Sequence, residues 1–427
     1  MSIIDPIDFP NPTPIIRQHL SNATFYYKTL SESRYSSLIN VSRFNHFNAL
    51  LNANLDGVYH AKTVGLHEAL SALKRWQGHE DAFIYTLLFN ELDSEKNVGN
   101  FWLMIKELGF NAFLGAIEAL LRVESKSRNK QLALIKDIDP DMFVIASLKL
   151  KADEIDFIQH DEFLHCLNHP SKEVKVAVCD YAKKMGLKGV SEDIWQLCNI
   201  ETDIEVKYAA LDTLSWLSNE NERIYSALSE FLRLYLQENT YRGTQGLIHS
   251  QTMENIARLM GYTFFNEITL SEIDLWLPDY LKIIYYTHSG NAAYLPRLIN
   301  YLDTPELSRL AFKGLCLLTG IDVNSPELTF TSAEQVELSV DSRIRFLSSG
   351  VNQVNPANVK KAVQSLNLQG TVLLGKSISI SHCEGVIKNG YQIERHIANW
   401  YLCRLNDESK YNDICRFNRV KTRNEYA

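Results

Sequence analysis

Apolar residues recur at three- and four-residue intervals along most of the chain, which is the spacing that gives an α-helix one buried face. The stretch RFNHFNALLNANLDGVYHAKTVG at residues 43–65 is a clear example, and the pattern continues through residues 66–73. We expect both segments to be helical and to bury one face. The apolar positions of that face are Phe44, Phe47, Leu50, Leu51, Leu55, Val58, Leu66, Ala69, Leu70 and Leu73.

The middle of the chain contains a repeat. HPSKEVKVAVCDYAKKMG, from His169, aligns with ETDIEVKYAALDTLSWLS, from Glu201, so that Val174 matches Val206. A looser third copy, LDTPELSRLAFKGLCLLTG, spans residues 302–320. Each copy has a polar turn and then a helix with a small Ala near its start. This is the pattern of a HEAT-type helical hairpin, and such hairpins must stack because one hairpin cannot bury its own apolar face.

Composition favours the same architecture. The chain has 427 residues, of which 45% are hydrophobic, and it contains only 19 Gly and 11 Pro. These values exclude a disordered chain, and they disfavour all-β and α/β folds, whose many turns use more Gly and Pro. We therefore predict an all-α fold. Its form is a HEAT-like α-solenoid of stacked antiparallel helical hairpins, with an N-terminal helical segment and a small helical C-terminal unit.

Proline-rich and polar stretches indicate the domain boundaries. Four prolines predict an extended arm at residues 1–14, and the polar, weakly periodic residues 321–357 predict a linker. We expect an N-terminal helical region at 15–135, HEAT-like repeats at 136–320 and a C-terminal helical unit at 358–427. The spacing of the last helix predicts that it buries Ile393, Ile397, Trp400, Tyr401 and Leu405.

Charge and cysteine usage narrow the class of protein. A net charge of −8 argues against a protein that grips phosphate backbones, so we expect no nucleic-acid partner. For the local basic segment CRFNRVKTR, residues 415–423, we favour a solvated terminus over a binding patch. The seven cysteines show no C-x-x-C spacing, which is typical of core cysteines in a reducing compartment. With no export signal and no run of ~20 apolar residues, we predict a cytoplasmic protein without a membrane partner.

Asp56 and Gly57 interrupt the first apolar stripe, and His46, His60 and His67 lie near them in sequence. Asp56 could act as a general base with a raised pKa, or it could bind a neighbouring helix while Gly57 allows close packing. We favour the packing interpretation for Asp56 and for the histidines.

The segment HDEFLHCLNH, at residues 160–169, is the nearest approach to a metal site. His165 and His169 have the i, i+4 spacing that places two imidazoles on one helix face, but Pro170 follows at once and ends the helix. The sequence also has no P-loop, no G-x-S-x-G elbow and no H-E-x-x-H motif. We therefore predict no catalytic residue, no metal and no cofactor.

Several segments together resemble a bacterial family of HEAT-repeat proteins that are frequently encoded in type VI secretion loci. Its members open with a Gln-His helix, matched by IIRQHLSNATFYY, and continue with an Ala-His-Leu-Asp-Gly-Leu helix, matched by NANLDGVYHAKTVG. A helix ending in Thr-Gly is matched by LAFKGLCLLTGID, and a Gly-x-x-x-x-Gly turn before two helices by QGTVLLGKSIS and GYQIERHIANWYL. The family-motif positions, with structural or interaction roles, are Gln18, His19, Leu55, Asp56, Gly57, Thr319, Gly320, Gly370, Gly375, Gln392 and Arg395.

The matches occur in the family's order from about residue 15 to residue 405, but the chain departs from the pattern. Asn54 stands where the family has His, Val58 stands where it has Leu, and VKKAVQSLNLQ replaces a tryptophan-rich segment. No role of that His is therefore carried over. The resemblance implies a fold and a secretion setting, and it implies no activity.

We expect a non-enzymatic adaptor or chaperone that holds a partner protein, an effector or spike component awaiting secretion. The alternative is an immunity protein that binds and neutralises a toxin, since negative charge suits blocking a basic toxin. A third class, a DNA-binding enzyme on a HEAT scaffold, needs a basic groove to hold the duplex, and the net charge disfavours it.

Overall fold

The computed structural model describes residues 13–92, 98–123, 125–237, 243–263, 273, 275–330, 341–406 and 409–417. The chain divides into two compact units. The described residues within 1–34, 39–181 and 413–427 belong to unit 1, and those within 35–38 and 182–412 belong to unit 2.

Unit 1 is built from helices joined by short connections. Helix α4 lies at its centre, packed on α1, α2, α3 and α6. Every residue of α4 from Ala82 to Phe89 is buried, which fits a sequence that is apolar all round. The helices are α1 (Thr13–Ser31), α2 (Val41–His60), α3 (Lys62–Trp76), α4 (His79–Leu92), α5 (Val98–Leu108), α6 (Phe110–Leu120), α7 (Ser125–Ile138), α8 (Pro140–Glu154), α9 (His160–Leu167) and α10 (Lys172–Met185). The boundary between the two units falls within α10.

Unit 2 is also helical. Its helices are α11 (Ser191–Ile200), α12 (Ile204–Leu217), α13 (Asn221–Gln237), α14 (Gly243–Tyr262), α15 (Asp279–His288), α16 (Leu295–Asn300), α17 (Ser308–Thr319), α18 (Ser342–Leu347), α19 (Pro356–Gln364), α20 (Ile380–Asn389) and α21 (Gln392–Leu405). Helix α17 packs on α15, α16 and α19, and α20 packs on α21. The strands β1 (Val372–Leu373) and β2 (Lys376–Ser377) pair antiparallel, Val372 with Ser377.

The predicted all-α class is confirmed, since β1 and β2 are the only strands among the described residues. Helix boundaries follow ordinary capping chemistry. Asp139 begins α8 by accepting hydrogen bonds from the backbone N–H groups of Asp141 and Met142, with Pro140 at the first helical position. Gly320, with φ of +74°, ends α17 in the left-handed conformation that glycine adopts without strain.

The two close repeat copies form helices of equal length, α10 and α12, with 14 residues each. The aligned Val174 and Val206 are fully buried, and the aligned Tyr181 and Thr213 are buried as well. The repeated positions therefore correspond to the buried faces of two helices with matching patterns.

The segment predicted as a linker, 321–357, contains regular structure where it is described. Thr329 and Val354 form a β-bridge, and the backbone N–H of Phe330 donates to the carbonyl of Gln353 at 2.8 Å. Helix α18 also falls within this segment. Of the predicted arm at residues 1–14, residues 1–12 lie outside the described chain, and Thr13 and Pro14 begin α1.

Residues 413–417 pack within unit 1 rather than forming a solvated terminus. Cys415 Sγ lies 3.6 Å from Ser33 Oγ, and an Arg416 Nη2 to Asp153 Oδ1 ion pair measures 2.8 Å. The ring of Phe417 meets that of Phe83 edge to face. The expectation of a solvated tail is therefore wrong for residues 415–417, and residues 418–423 lie outside the described chain. All seven cysteines are buried, as core cysteines should be.

Helix α21 buries four of the five residues that its apolar spacing predicted to be buried. Ile393, Ile397, Trp400 and Tyr401 are buried as predicted, whereas Leu405 in the last turn is 47% exposed.

None of the described helices combines the length and apolarity that crossing a bilayer demands.

Candidate functional site

Unit 1 contains an open groove of about 690 Å³ between α2 and α3 on one side and α4 and α5 on the other. The residues that line it come from four helices and fall into an apolar floor, two walls and a polar rim. They are Tyr59, His60, Lys62, Thr63, Leu66, His67, Leu70, Tyr85, Phe89, Leu92, Asn100, Phe101 and Met104.

The floor of the groove is aromatic. The rings of Phe89 on α4 and Phe101 on α5 stack with centroids 4.6 Å apart, and the ring of Tyr85 lies 5.9 Å from that of Phe101. All three side chains are buried by their neighbours, so the floor is a fixed surface.

The α3 wall corrects one prediction from periodicity. Ala69 and Leu73 are buried as expected, but Leu66 and Leu70 are only partly buried and line the groove. The apolar face of α3 therefore contributes some residues to the core and others to the wall of the groove. Met104 on α5, also partly buried, lies in the opposite wall.

A sharp break between α2 and α3 shapes one end of the groove. Only Ala61 separates the two helices, and a Cβ at Gly65 would lie 2.2 Å from the carbonyl oxygen of Val58, so the two backbones are in contact there. Lys62, the first residue of α3, has φ of +48°. This left-handed conformation is unfavourable for a residue other than Gly or Asn.

The rim of the groove is polar, and among the described lining residues its cationic side chain is that of Lys62. His60, Lys62, Thr63, His67 and Asn100 are exposed, and none of the described residues that line the groove is acidic. Among the described acidic residues, only Glu68 lies within ion-pair distance of a rim residue, with its Oε1 3.8 Å from His67 Nδ1. The expectation that His60 and His67 hold helices together is therefore wrong, since both extend into solvent at the rim.

The family-motif positions of unit 1 form a different feature, the joint between α1 and α2. His19 Nδ1 lies 3.0 Å from Asn54 Oδ1, and a Cβ at Gly57 would lie 3.0 Å from Cδ2 and Nε2 of the same imidazole. Leu55 is buried, whereas Asp56 is partly buried and Gln18 is exposed. The motif positions of unit 1 thus include a helix-packing contact, and none of them lines the groove.

A second joint links the end of α17 to the β1–β2 hairpin. The backbone N–H groups of Leu374 and Gly375 donate to the carbonyls of Leu317 and Leu318, both at 2.8 Å, and so satisfy carbonyls of the last helical turn. The approach is close on both sides. A Cβ at Gly375 would lie 2.5 Å from the carbonyl oxygen of Thr319, and a Cβ at Gly320 would lie 2.6 Å from that of Leu374.

Gly370, the other turn glycine of the family motif, begins the same hairpin region. It has φ of +67°, and its carbonyl accepts a hydrogen bond of 2.9 Å from the N–H of Ala292. The structure therefore gives Gly375 a packing role and Gly370 a left-handed turn conformation, with no described atom within 4 Å of a Cβ placed at Gly370.

A third joint holds α20 to α21. Arg395 Nε donates to the carbonyl of Ile387 at 2.8 Å, and its Nη1 donates to Oε1 of the buried Gln392. The charge of Arg395 therefore lies at the C-terminal end of α20, where a cation is favourable. Glu394 completes the joint by accepting a hydrogen bond of 2.8 Å from the N–H of Tyr391.

A polar cluster that sequence reasoning missed joins α1, α4 and α6. Tyr27 donates to Glu118 Oε2, and His79 Nε2 lies 3.3 Å from the same oxygen. Burial alone would raise the pKa of Glu118, but bonding to His79 and Tyr27 lowers this pKa to about 2. Burial and the Glu118 carboxylate raise the pKa of Tyr27 well above its usual value. The contacts of Glu118 with Tyr27 and His79 therefore link α6 to α1 and α4.

A second missed cluster is buried in unit 2. Glu254, 1% exposed, accepts hydrogen bonds from Nε and Nη2 of Arg343, and its Oε2 lies 3.5 Å from Arg258 Nη2. Lys313 donates to the carbonyl of Leu347 at 2.9 Å, and burial together with Arg258 lowers the pKa of Lys313 to about 8. Burial first, and then Arg258, lowers the pKa of His288 to about 3.

His165 and His169, the pair that the sequence offered as a metal site and that we disfavoured, lie side by side at the end of α9. The rings of His165 and His169 lie 6.1 Å apart, centroid to centroid, and His169 Nδ1 accepts a hydrogen bond from the N–H of Ser171 at 3.2 Å. Across the described ranges, no group of three His, Cys, Asp or Glu side chains is arranged to hold a metal ion.

Comparison with known proteins adds no relative. Neither the models of known protein families, nor the curated proteins, nor the solved structures include a match to this chain.

Proposed function

We propose that the chain is a non-enzymatic protein-binding scaffold and that the groove of unit 1 receives a segment of its partner. The observation that carries this proposal is the open groove itself, whose walls carry the partly buried side chains of Leu66, Leu70 and Met104 around the buried stack of Phe89 and Phe101. Exposed apolar grooves with polar rims mark interaction sites. Small-ligand pockets direct polar groups inward, whereas the polar groups here lie on the rim.

We propose further that the helical hairpins stack as a HEAT-like α-solenoid. Support comes from the equal lengths of α10 and α12 and from the burial that Val174 shares with Val206. In such arrays each hairpin covers its neighbour's apolar face, and the exposed surface becomes available for binding.

The partner we propose is an effector or spike component of a type VI secretion system, for which the chain is an adaptor or chaperone. This part rests on the family resemblance and on the joints that its motif positions form, such as His19 with Gly57 and Gly320 with Leu374. Residues with such packing roles stabilise the scaffold, so we assign partner binding to other residues. The cationic rim does not favour an inhibitor that blocks a basic toxin through this groove.

Co-purification tests the proposal. The tagged full chain is co-expressed with each effector and spike protein encoded beside it, as wild type and as the variants Met104→Asp and Leu103→Asp. Met104 lines the groove, whereas its neighbour Leu103 is exposed elsewhere on α5. We expect one partner to be retained by the wild type and by Leu103→Asp and to be lost with Met104→Asp.

Two further measurements keep the result interpretable. Thr63→Trp fills the groove from its exposed rim without removing a core side chain, so it should also abolish retention even if Met104→Asp is poorly folded. In cells, groove variants should reduce secretion of the partner by the attacker and leave survival of recipient cells unchanged. Retention of no neighbouring protein, or equal retention by all variants, would contradict the proposal.

A further inference from the structure

Resting on the proposed function, we infer that the segment bound in the groove is an acidic amphipathic helix of the partner protein and that Lys62 contacts its carboxylates. Three features of the described residues lead to this inference. They are the shape of the groove, the charge of its rim and the backbone conformation of Lys62.

The shape fits one face of a helix. The two walls are themselves helical, α2–α3 and α4–α5, and a volume of about 690 Å³ accommodates several apolar side chains together. A helix lying along such a channel presents residues i, i+3 or i+4, and i+7 to the floor. The partly buried side chains of Leu66, Leu70 and Met104, which line the groove, offer apolar surface to these anchors.

The charge of the rim selects the other face of the helix. The chain as a whole carries a net charge of −8, yet the described residues that line the groove include the cation Lys62 and no carboxylate. Complementary potentials across an interface fix both partner and orientation. Carboxylates on the helix flanks therefore suit this rim, and lysines do not.

The conformation of Lys62 gives an independent reason to assign it a binding role. Its φ of +48° is one that glycine adopts without strain, and lysine adopts it at a cost in stability. Lys62 is exposed, and no ion pair joins it to a described residue, so among the described residues no ion pair offsets that cost. Strained backbone positions occur often at binding sites, which supports a binding role for the Lys62 side chain beside the groove.

Two probe peptides test the inference on the full chain. Each has about 18 residues, enough for five helical turns, with Leu and Phe along one face. One carries Glu on its flanks and the other carries Lys. Fluorescence anisotropy measures the affinity of each peptide for the wild type, Lys62→Gly, Lys62→Glu and the control Gln77→Gly. Gln77 also has a positive φ, +53°, but lies outside the groove lining.

We expect the wild type to prefer the Glu peptide. Lys62→Gly should weaken binding of that peptide by about 3-fold and Lys62→Glu by about 10-fold, because a rim charge is removed or reversed. Both glycine variants should raise the urea midpoint by relieving backbone strain, whereas Gln77→Gly should leave the peptide affinity unchanged. A gain in stability coupled to a loss of binding is an outcome that a purely structural residue would not give.

Equal affinity for the two peptides, absence of binding by either, or no effect of Lys62→Glu would overturn the inference. Concentration-dependent dimerisation lost in Met104→Asp would overturn it as well, because the occupant would then be a second copy of the chain. These results are distinguishable from failure of the proposed function. If Met104→Asp still abolishes co-purification of the partner while Lys62→Glu has no effect, the groove binds protein but its occupant is not acidic.

Discussion

His19 Nδ1 lies 3.0 Å from Asn54 Oδ1, which joins the first two helices of unit 1 through their side chains. Asn54 also accepts a hydrogen bond from Asn22 Nδ2 at 3.4 Å, and its own Nδ2 donates to the carbonyl of Leu50. The joint between α1 and α2 therefore depends on the amide of Asn54, which contacts His19, Asn22 and the carbonyl of Leu50.

Asn54→Ala should destabilise unit 1 by about 1 kcal/mol, because it removes the hydrogen-bond partner of a partly buried imidazole. The matched control is Asn45→Ala, at an exposed position of the same helix. Urea unfolding followed by circular dichroism measures both variants. Equal midpoints for the two would show that the His19–Asn54 contact contributes nothing to stability.

Gly115→Ala should destabilise the packing of α4 on α6 by at least about 2 kcal/mol, because overpacking a rigid backbone contact forces the helices apart. A Cβ at Gly115 would lie 2.0 Å from the carbonyl oxygen of His79. Gly99→Ala on α5 is the control, since no atom of the described residues lies within 4 Å of a Cβ placed there. It should be neutral or stabilising by up to about 1 kcal/mol. Thermal unfolding would contradict this account if the order of the two variants were reversed.

Glu254→Ala should cost about 3–5 kcal/mol, because it leaves the guanidinium groups of Arg343 and Arg258 buried without their carboxylate. Glu230→Ala, at an exposed position on α13, should change stability by less than about 0.5 kcal/mol. Chemical denaturation measures both free energies of unfolding. A similar small effect for the two variants would mean that the cluster is solvated in solution.

Glu118 should make stability depend on pH in the acid range. Its pKa is lowered to about 2 from an ordinary value of 4.5, so its stabilising effect is fully present above pH 4.5 and is lost as the pH falls towards 2. After allowance for the partial exposure of its side chain, we expect about 1–2 kcal/mol to be lost. Urea midpoints measured across this window should fall less steeply for Glu118→Gln than for the wild type. The exposed Glu107→Gln on α5 should follow the wild type, and parallel curves for all three proteins would refute the assignment.

Periodicity alone predicted much of the fold. The stripe Leu51, Leu55 and Val58 is buried as its spacing indicated, because a continuous apolar face on a helix must find a partner. The repeat alignment likewise placed Val174 and Val206 at equivalent buried positions. Both predictions depend on local spacing, which the sequence states directly.

The groove was not predictable in this way. Leu66 and Leu70 have the same helical spacing as the buried Ala69 and Leu73, and only the placement of α4 and α5 decides which of them become covered. The polar rim could not be predicted either, because the exposure of His60 and His67 depends on the break at Ala61 between α2 and α3. The polar clusters around Glu118 and Glu254 join residues far apart in sequence, so no local pattern marks them.

Site-specific photocrosslinking tests the central claim, that the groove binds a segment of another protein. The photoreactive amino acid p-benzoylphenylalanine replaces Met104 in one variant and Leu103 in the other, and both are irradiated in cells that express the proteins encoded beside the chain. Met104 lies in the groove wall, and Leu103 is exposed outside it. We predict a crosslinked partner from position 104 and none from position 103. No crosslink at either position, or equal crosslinking at both, would contradict the claim.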